Sequence, residues 1–281
     1  MGPDFPWGRR TFIMGIVNCT PDSFSGDGLG DDVEAAVARG CALVAAGADL
    51  LDVGGESTRP GAVPVPAEVE AARVVPVIAA LRARTAVPLS VDTGKAAVAR
   101  RALEAGACIV NDVWGLRHDR RLAAVAARAG AALVVMHNRP ARAAVDRLGG
   151  MYPEAAYRDL VGEVRAELAE SAAWAREAGL PPGRVWLDPG LGFGKTPAQS
   201  MELLRRLPEL RVPGHPLLVG PSRKSFIGRV LDLPVGERTD GTAAAVALAV
   251  AGGADAVRVH DVLPMVRVAR VADAVVRGWT P

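Results

Sequence analysis

Aromatic side chains are scarce in this 281-residue chain, at 4% of the sequence against 50% hydrophobic residues overall. A core of this size must then be filled by small aliphatics, which suits helices packed tightly on strands and argues against a base-stacking surface. Charge of one sign is also missing: 33 basic and 31 acidic residues are interspersed, the formal net charge is +2, and no long basic stripe marks a nucleic-acid partner. Cys19, Cys41 and Cys108 are odd in number and widely spaced, with no C-x-x-C pair for zinc or redox work, so a reducing cytoplasm is the simplest home. Long apolar runs are absent as well. The mean hydropathy of +0.19 comes from alanine and valine, and the stretch from Ala243 to Ala254 is too short to span a membrane. The opening MGPDFPWGRR has no apolar core of the kind a secretory signal needs. Lysine is almost missing: only Lys95, Lys195 and Lys224 occur among the 33 basic residues.

What is present is a steady alternation of short β-branched runs with longer Ala-, Glu- and Arg-rich runs of helical period. The strand candidates are 12–17, 48–53, 88–91, 108–110, 132–136, 185–187, 216–219 and 256–259. Amphipathic helices such as 31–46 and 66–84 lie between them, the latter with Pro66 at a first-turn position. A phrase recurs: AAGADLLDV at 45–53, EAGACIVNDV at 104–113, RAGAALVVMH at 128–137 and AGGADAVRVH at 251–260. It is a weak internal repeat of a strand-plus-helix unit. Eight such units predict a (β/α)₈ TIM barrel, one domain over residues 1–281, and no G-x-G-x-x-G follows the first strand to favour a dinucleotide fold.

In a barrel, ligand chemistry sits on the loops at the carboxyl ends of the strands. Every expected strand end carries a polar group: Asn18; Asp52 with Glu56, Thr58 and Arg59; Asp92; Asn111 and Asp112; His137; Asp188; Ser222 to Lys224; Arg258 to His260. Asp112 and Asp261 read mostly as turn or helix-capping residues, and His118 and His215 as surface residues. His137 remains open between the two kinds of role.

Three loops are too unusual for plain turns. GGESTRPGA at 54–62 combines glycines, an acid, hydroxyls and an arginine; DPGLGFGKT at 188–196 follows an Asp with three glycines and a lysine, a flexible backbone able to approach a planar ligand. The latter fails the P-loop spacing. GPSRKSFIG at 220–228 presents Arg223, Lys224 and two hydroxyls at the expected start of a helix, a natural anion site. Together these ends make a site with two halves. Asp92, Asn111 and Asp188 suit the hydrogen-bonding edge of a heterocycle. Arg258, His260, Thr58 and Asn18 suit a phosphate group, with Asn18 offering an oxygen to Mg²⁺.

The strings MGIVNCTPDSFSGDG, DVGGESTRPG, SVDTGK, VNDV, VMH, DPGLGFGK, SRKSFIG and RVHDV, in that order from residue 14 to 262, resemble the motifs of the dihydropteroate synthases. The resemblance implies joining 6-hydroxymethyl-7,8-dihydropterin diphosphate to 4-aminobenzoate, with release of diphosphate, by a sulfonamide-sensitive family. It also implies a homodimer using Mg²⁺. On its terms Asp92, Asn111, Asp188 and Lys224 hold the pterin, Met136, Phe193 and Gly220 line its slot, and Asn18, Thr58, Arg258 and His260 face the diphosphate and metal. Phe24, Arg59, Pro60, Lys224 and Ser225 would then form the aminobenzoate pocket, and Lys224, Asp188, Arg258 and His260 would carry the chemistry. Lys95 and Lys195 stay open between substrate contact and structural pairing. Two departures from the family pattern stand out: SFSGDG shifts Asp27 by one position, and MHNRP puts Pro140 after the fifth strand. A pterin-dependent methyltransferase domain shares the barrel but has little use for SRKSFIG or ESTRPG. A catalytically silent pterin-binding paralogue is the remaining alternative.

Overall fold

A computed structural model describes residues 5–20, 32–58, 62–139 and 141–279. Eight parallel strands follow one another around a barrel: β1 (Phe12–Asn18), β2 (Leu50–Gly54), β3 (Leu89–Asp92), β4 (Ile109–Asp112), β5 (Ala132–Met136), β8 (Val185–Asp188), β9 (Leu218–Val219) and β10 (Ala256–Val259). β10 pairs back onto β1, and a parallel bridge between Leu187 and Leu217, with the Leu187 N–H donating to Pro216 O at 2.8 Å, joins β8 to the start of β9. All eight expected strands are present, with ends shifted by at most two residues.

Helices return the chain on the outside: α1 (Val33–Ala45), α2 (Ala67–Arg84), α3 (Ala96–Glu104), α4 (Arg121–Ala129), α5 (Leu160–Glu177), α6 (Pro197–Arg205), α7 (Ser225–Leu231), α8 (Thr239–Ala251) and α9 (Val262–Arg277). Local chemistry sets several of their starts. Asp32 accepts the Ala35 N–H to cap α1, and Thr196 and Gln199 form a reciprocal capping box on α6. Pro66 is the N-cap of α2 rather than its first helical residue. None of the helices among the described residues is long and apolar enough to cross a membrane.

One element is absent from the strand-helix pattern: a hairpin, β6 (Ala144–Asp146) with β7 (Gly149–Met151), between β5 and α5. Its three-residue strands are too short to show a period. Arg229 of α7 pairs with Asp146, and Arg147 with Asp232, so the hairpin grips the α7 segment. Arg238 reinforces this. Its buried guanidinium donates to Leu148 O on the hairpin, Arg223 O before α7 and Leu233 O after it.

Alternation along parallel strands sends every second side chain into the barrel. At the amino ends these are apolar: Phe12, Met14, Leu50, Ile109, Ala132, Val134, Trp186, Leu218 and Ala256 form one buried cluster with Phe5. Phe5 and Trp7 plug that end, meeting Trp186 edge-on at centroid distances of 5.4 and 5.0 Å. Two residues further along, the same faces present Asp52, Asn111, Asp188 and Arg258. His215 belongs to this interior economy too. Contrary to its reading as a surface residue it is buried, with Nδ1 2.9 Å from Val185 O, because it closes the turn leading into β9; His118 is exposed as expected.

Candidate active site

The polar end of the lumen is held together by one guanidinium. Arg258, from β10, donates through Nε to Asp52 Oδ2 at 2.6 Å and through Nη2 to Asp92 Oδ2 at 2.8 Å. Asn111 Nδ2 donates to the same Asp52 oxygen at 2.8 Å. Three acids at the end of a closed barrel would repel each other and resist ionising. Burial first, and then the nearby charges of Asp52, Glu70 and Asp112, push the Asp92 carboxyl up to about 7 despite the opposing Arg258 charge. Burial opposes the Arg258 charge as well, but Asp52 and Asp92 outweigh it and raise its pKa.

Asp188 closes the other side. Burial raises its pKa, opposed by the Gly190 N–H that it accepts at 2.7 Å and by the Lys224 and Lys195 charges. Lys224, the N-cap residue of α7, sets its ammonium 4.0 Å from the Phe193 ring centroid. Gly220 lies between these groups and Arg258: a Cβ there would stand 4.0 Å from Asp188 Oδ2 and 3.8 Å from Arg258 Cβ, in ordinary contact with both. Met136 ends β5 beside it. His260 follows Arg258 by two residues, with Ser222 Oγ 2.9 Å from its Nδ1 and accepting its backbone N–H at 3.2 Å.

The lysines separate into two kinds. Lys195 is buried and donates to His137 Nδ1 at 2.8 Å, Phe193 O at 2.9 Å, Gly190 O at 3.1 Å and His137 O at 3.3 Å. It staples the 188–196 loop to the end of β5. Burial draws its pKa down to about 7. The glycines serve the same packing rather than flexibility. Gly190 and Gly194 have φ of +66° and +56°, and a Cβ on either would lie 2.0 or 2.2 Å from the carbonyl oxygens of His137 and Arg139. His137 is thereby a structural residue: its Nε2 faces Glu167 Oε2 across 3.3 Å. Lys95 is structural as well, bridging Glu56 and Glu70 at 2.6 Å each, while Glu56 accepts the Val65 N–H and ties the base of the 56–65 loop.

Two expectations change, one holds and one residue is added. Arg223 does not extend the cationic face of the 220–228 segment, because Asp261 binds its guanidinium at 2.7 and 3.0 Å. Asp261 is accordingly an arginine partner at the N-cap position of α9, with no side-chain capping bond. Asp112 does act locally, accepting the N–H groups of Trp114 and Leu116. Asp52 is the functional residue missed by treating the site as three carboxyl and amide groups. It was visible as a strand-end acid, but its partner lies 206 residues away on the last strand.

Three further candidates among the described residues stand at strand or helix ends of the same rim. Asn18 ends β1, Thr58 follows β2, and Ser225 opens α7. Phe24, Arg59, Pro60, Asp27 and Pro140 lie outside the described residues. Among the described residues no group of three His, Cys, Asp or Glu could hold a metal. Asn18 supplies one neutral oxygen, a donor set that fits a Mg²⁺ arriving on phosphate oxygens with its waters rather than one held in a protein cage.

The model of the pterin binding enzyme family matches residues 14–260. A curated relative, the dihydropteroate synthase of Synechocystis sp., is 47% identical over 274 residues, covering 97% of this chain and 93% of the relative. The chain belongs to the dihydropteroate synthase family. Solved dihydropteroate synthases share the barrel. That of Clostridium difficile, determined in the presence of pteroic acid, aligns at a TM-score of 0.89 and 42% identity, covering 98% of this chain and 100% of the other. That of Xanthomonas albilineans, with 4-aminobenzoic acid, aligns at 0.84 and 46%, covering 95% and 93%. Membership in the dihydropteroate synthases accounts for a rim that is both acidic and cationic, since that reaction takes a heterocycle and an anionic leaving group together.

Proposed function

We propose that the mouth of this barrel condenses 6-hydroxymethyl-7,8-dihydropterin diphosphate with 4-aminobenzoate to give 7,8-dihydropteroate and diphosphate. The observation that carries this reading is the convergence of Asp92, Asn111, Asp188 and Arg258, from four different strands, on one end of the lumen. The pterin ring lies in the slot beside Gly220, between Met136 and Phe193. Its N–H donors meet Asp92 and Asp188, its acceptors meet Asn111 and Lys224, and a buried carboxylate outcompetes water for paired N–H groups.

The diphosphate faces Arg258, His260 and Thr58. Asn18 would hold Mg²⁺ there, and the bound ion supplies neutralisation of the leaving group's charge. Electron donation from the dihydropterin ring into its exocyclic methylene weakens the C–O bond, whose electron pair leaves with diphosphate. The arylamine nitrogen then forms the new C–N bond, and its proton passes to water or the departing diphosphate. The amine is already neutral at pH 7, so no strong base is required. Asp188 holds the ring and stabilises its developing positive charge. Lys224, between ring and aminobenzoate, contacts both substrates, with Ser225, Phe24, Arg59 and Pro60 around the aminobenzoate.

The working form is a cytoplasmic homodimer, supported by the exposed apolar side chains of Leu248, Leu263, Val271 and Val275 on α8 and α9. Sedimentation at micromolar concentration checks it: a monomer would refute the dimer. For the reaction itself the test is diphosphate release with both substrates and Mg²⁺. Release that depends on 4-aminobenzoate is expected, and none above background would overturn the reading.

A further inference from the structure

Asp52 is the most deeply buried acid of the site, fully inaccessible, and it lies beneath the residues assigned to substrate. Its two oxygens are used unequally. Oδ2 accepts both Arg258 Nε and Asn111 Nδ2, while Oδ1 is buried without a hydrogen-bond partner. An unmatched buried acceptor is costly unless some state of the molecule supplies its donor. The neighbouring donor is Arg258 Nη2, which lies on the same edge of the guanidinium as Nε and is engaged by Asp92. Arg258 therefore occupies the carboxylate oxygen that the proposed function gives to the pterin ring.

We propose that Asp52 is a positioning residue that serves as the pivot of Arg258: when the pterin's N–H groups take Asp92, Nη2 moves to the vacant Oδ1 of Asp52, and Arg258 turns toward the diphosphate. The exchange conserves hydrogen bonds. Asp92 trades a guanidinium N–H for a ring N–H, and Asp52 gains a third donor, the second from Arg258, becoming a side-on, two-point partner of the arginine. The edge of the guanidinium away from Asp52 is then presented to the leaving group, at a fixed point, because Nε never leaves its acceptor. Asn111 is steadied by the same oxygen, so one carboxylate sets a ring-binding amide and a phosphate-binding cation in register.

This inference rests on the proposed function, and its test separates the two. Calorimetry with Mg²⁺ compares two ligands, 6-hydroxymethyl-7,8-dihydropterin diphosphate and 6-hydroxymethyl-7,8-dihydropterin, on wild type and Asp52→Asn. An asparagine keeps one acceptor but loses the charge and the second acceptor. The expected result is a loss of roughly 10- to 100-fold in affinity for the diphosphate, the scale of one charge-assisted hydrogen bond, and a clearly smaller loss for the pterin alcohol, which displaces Arg258 from Asp92 but offers it no anion. Equal loss for both ligands, or loss for neither, overturns the pivot. Wild type that binds neither ligand overturns the functional reading instead.

Arg258→Lys keeps a cation but has no Nε. In that background Asp52→Asn should add less than about threefold, because two changes acting through one interaction are not additive, and full additivity would refute the coupling. Should Asp52→Asn fail to fold, Asp52→Glu, which keeps the charge on a longer arm, is expected to show the same selective loss for the diphosphate. Unchanged selectivity in folded Asp52→Glu overturns the proposal.

Discussion

The two ends of the barrel lumen are built by the same strands in the same register, yet they hold opposite chemistry. At the amino end, Phe5, Trp7, Phe12 and Trp186 interlock edge-on, with Arg10, itself paired with Asp49, lying over the Phe12 ring. At the carboxyl end, a single step of two residues along β8 changes Trp186 to Asp188, and along β2 changes Leu50 to Asp52. The lesson is a division of labour inside one cavity. The aromatic plug supplies burial and rigidity, and the acidic rim, destabilised by its own desolvated carboxylates, can be assembled only on top of it.

The largest effect should come from breaking the plug. Trp186→Ala is expected to cost roughly 3–5 kcal/mol of unfolding free energy, the usual loss for a large aromatic truncated in a core. Denaturant unfolding measures it. KM for the pterin diphosphate should stay near wild type at a temperature where the variant is folded, and a KM rise matching the stability loss would show that the ends are not separable. Lys224→Ala is the reverse experiment. Steady-state kinetics should show a loss of roughly 10- to 100-fold for both substrates, the range of a lost charged hydrogen bond, with stability changed by less than about 0.5 kcal/mol. Normal kinetics for both substrates would remove Lys224 from between them.

Much of this division was legible in advance, for reasons that can be named. Parallel barrel strands read as short β-branched runs, and turn-forming Asp and Asn at their ends mark both the rim and its chemistry, which is why Asp92, Asn111, Asp188 and Arg258 could be selected and are found together. The pairing of Arg258 with Asp52 was not legible, because nothing local links positions 52 and 258. Lys195 illustrates a subtler limit. A lysine after three glycines reads equally as a ligand contact and as a staple, and only its four buried partners decide for the staple. The hairpin at 144–151 left no signal because its partners are side chains of α7 and Arg238, far along the chain.

A smaller change at the rim should affect one substrate only. Asp188→Asn retains an oxygen for the Gly190 N–H but presents an amide where the ring needs a two-fold acceptor. Pterin diphosphate affinity should fall by about tenfold, with KM for 4-aminobenzoate nearly unchanged. Calorimetry showing unaltered pterin affinity would take Asp188 out of the slot and leave it a loop residue.

The smallest effect concerns neither end but the staple between them. Burial, and secondarily the Lys195 charge, lower the His137 pKa to about 4 from an ordinary 6.5, while contacts with His137 and Arg139 hold Glu167 down at about 2. Lys195 donates to Nδ1, so the neutral ring carries its proton on Nε2, toward Glu167. Between pH 6.5 and 4 the unfolded chain takes up a proton at position 137 that the folded chain refuses, so stability must fall as the pH falls through that window. Glu167 extends the loss from about pH 4.5 toward 2. Asp112, which burial raises to about 6, acts in the opposite direction but equally in any His137 variant. Thermal and denaturant unfolding of wild type and His137→Gln should therefore converge on acidification, wild type losing about 1 kcal/mol more than the variant between pH 7 and 5.5. Parallel curves would mean that His137 is not held neutral and that Lys195 anchors the loop through the backbone carbonyls alone.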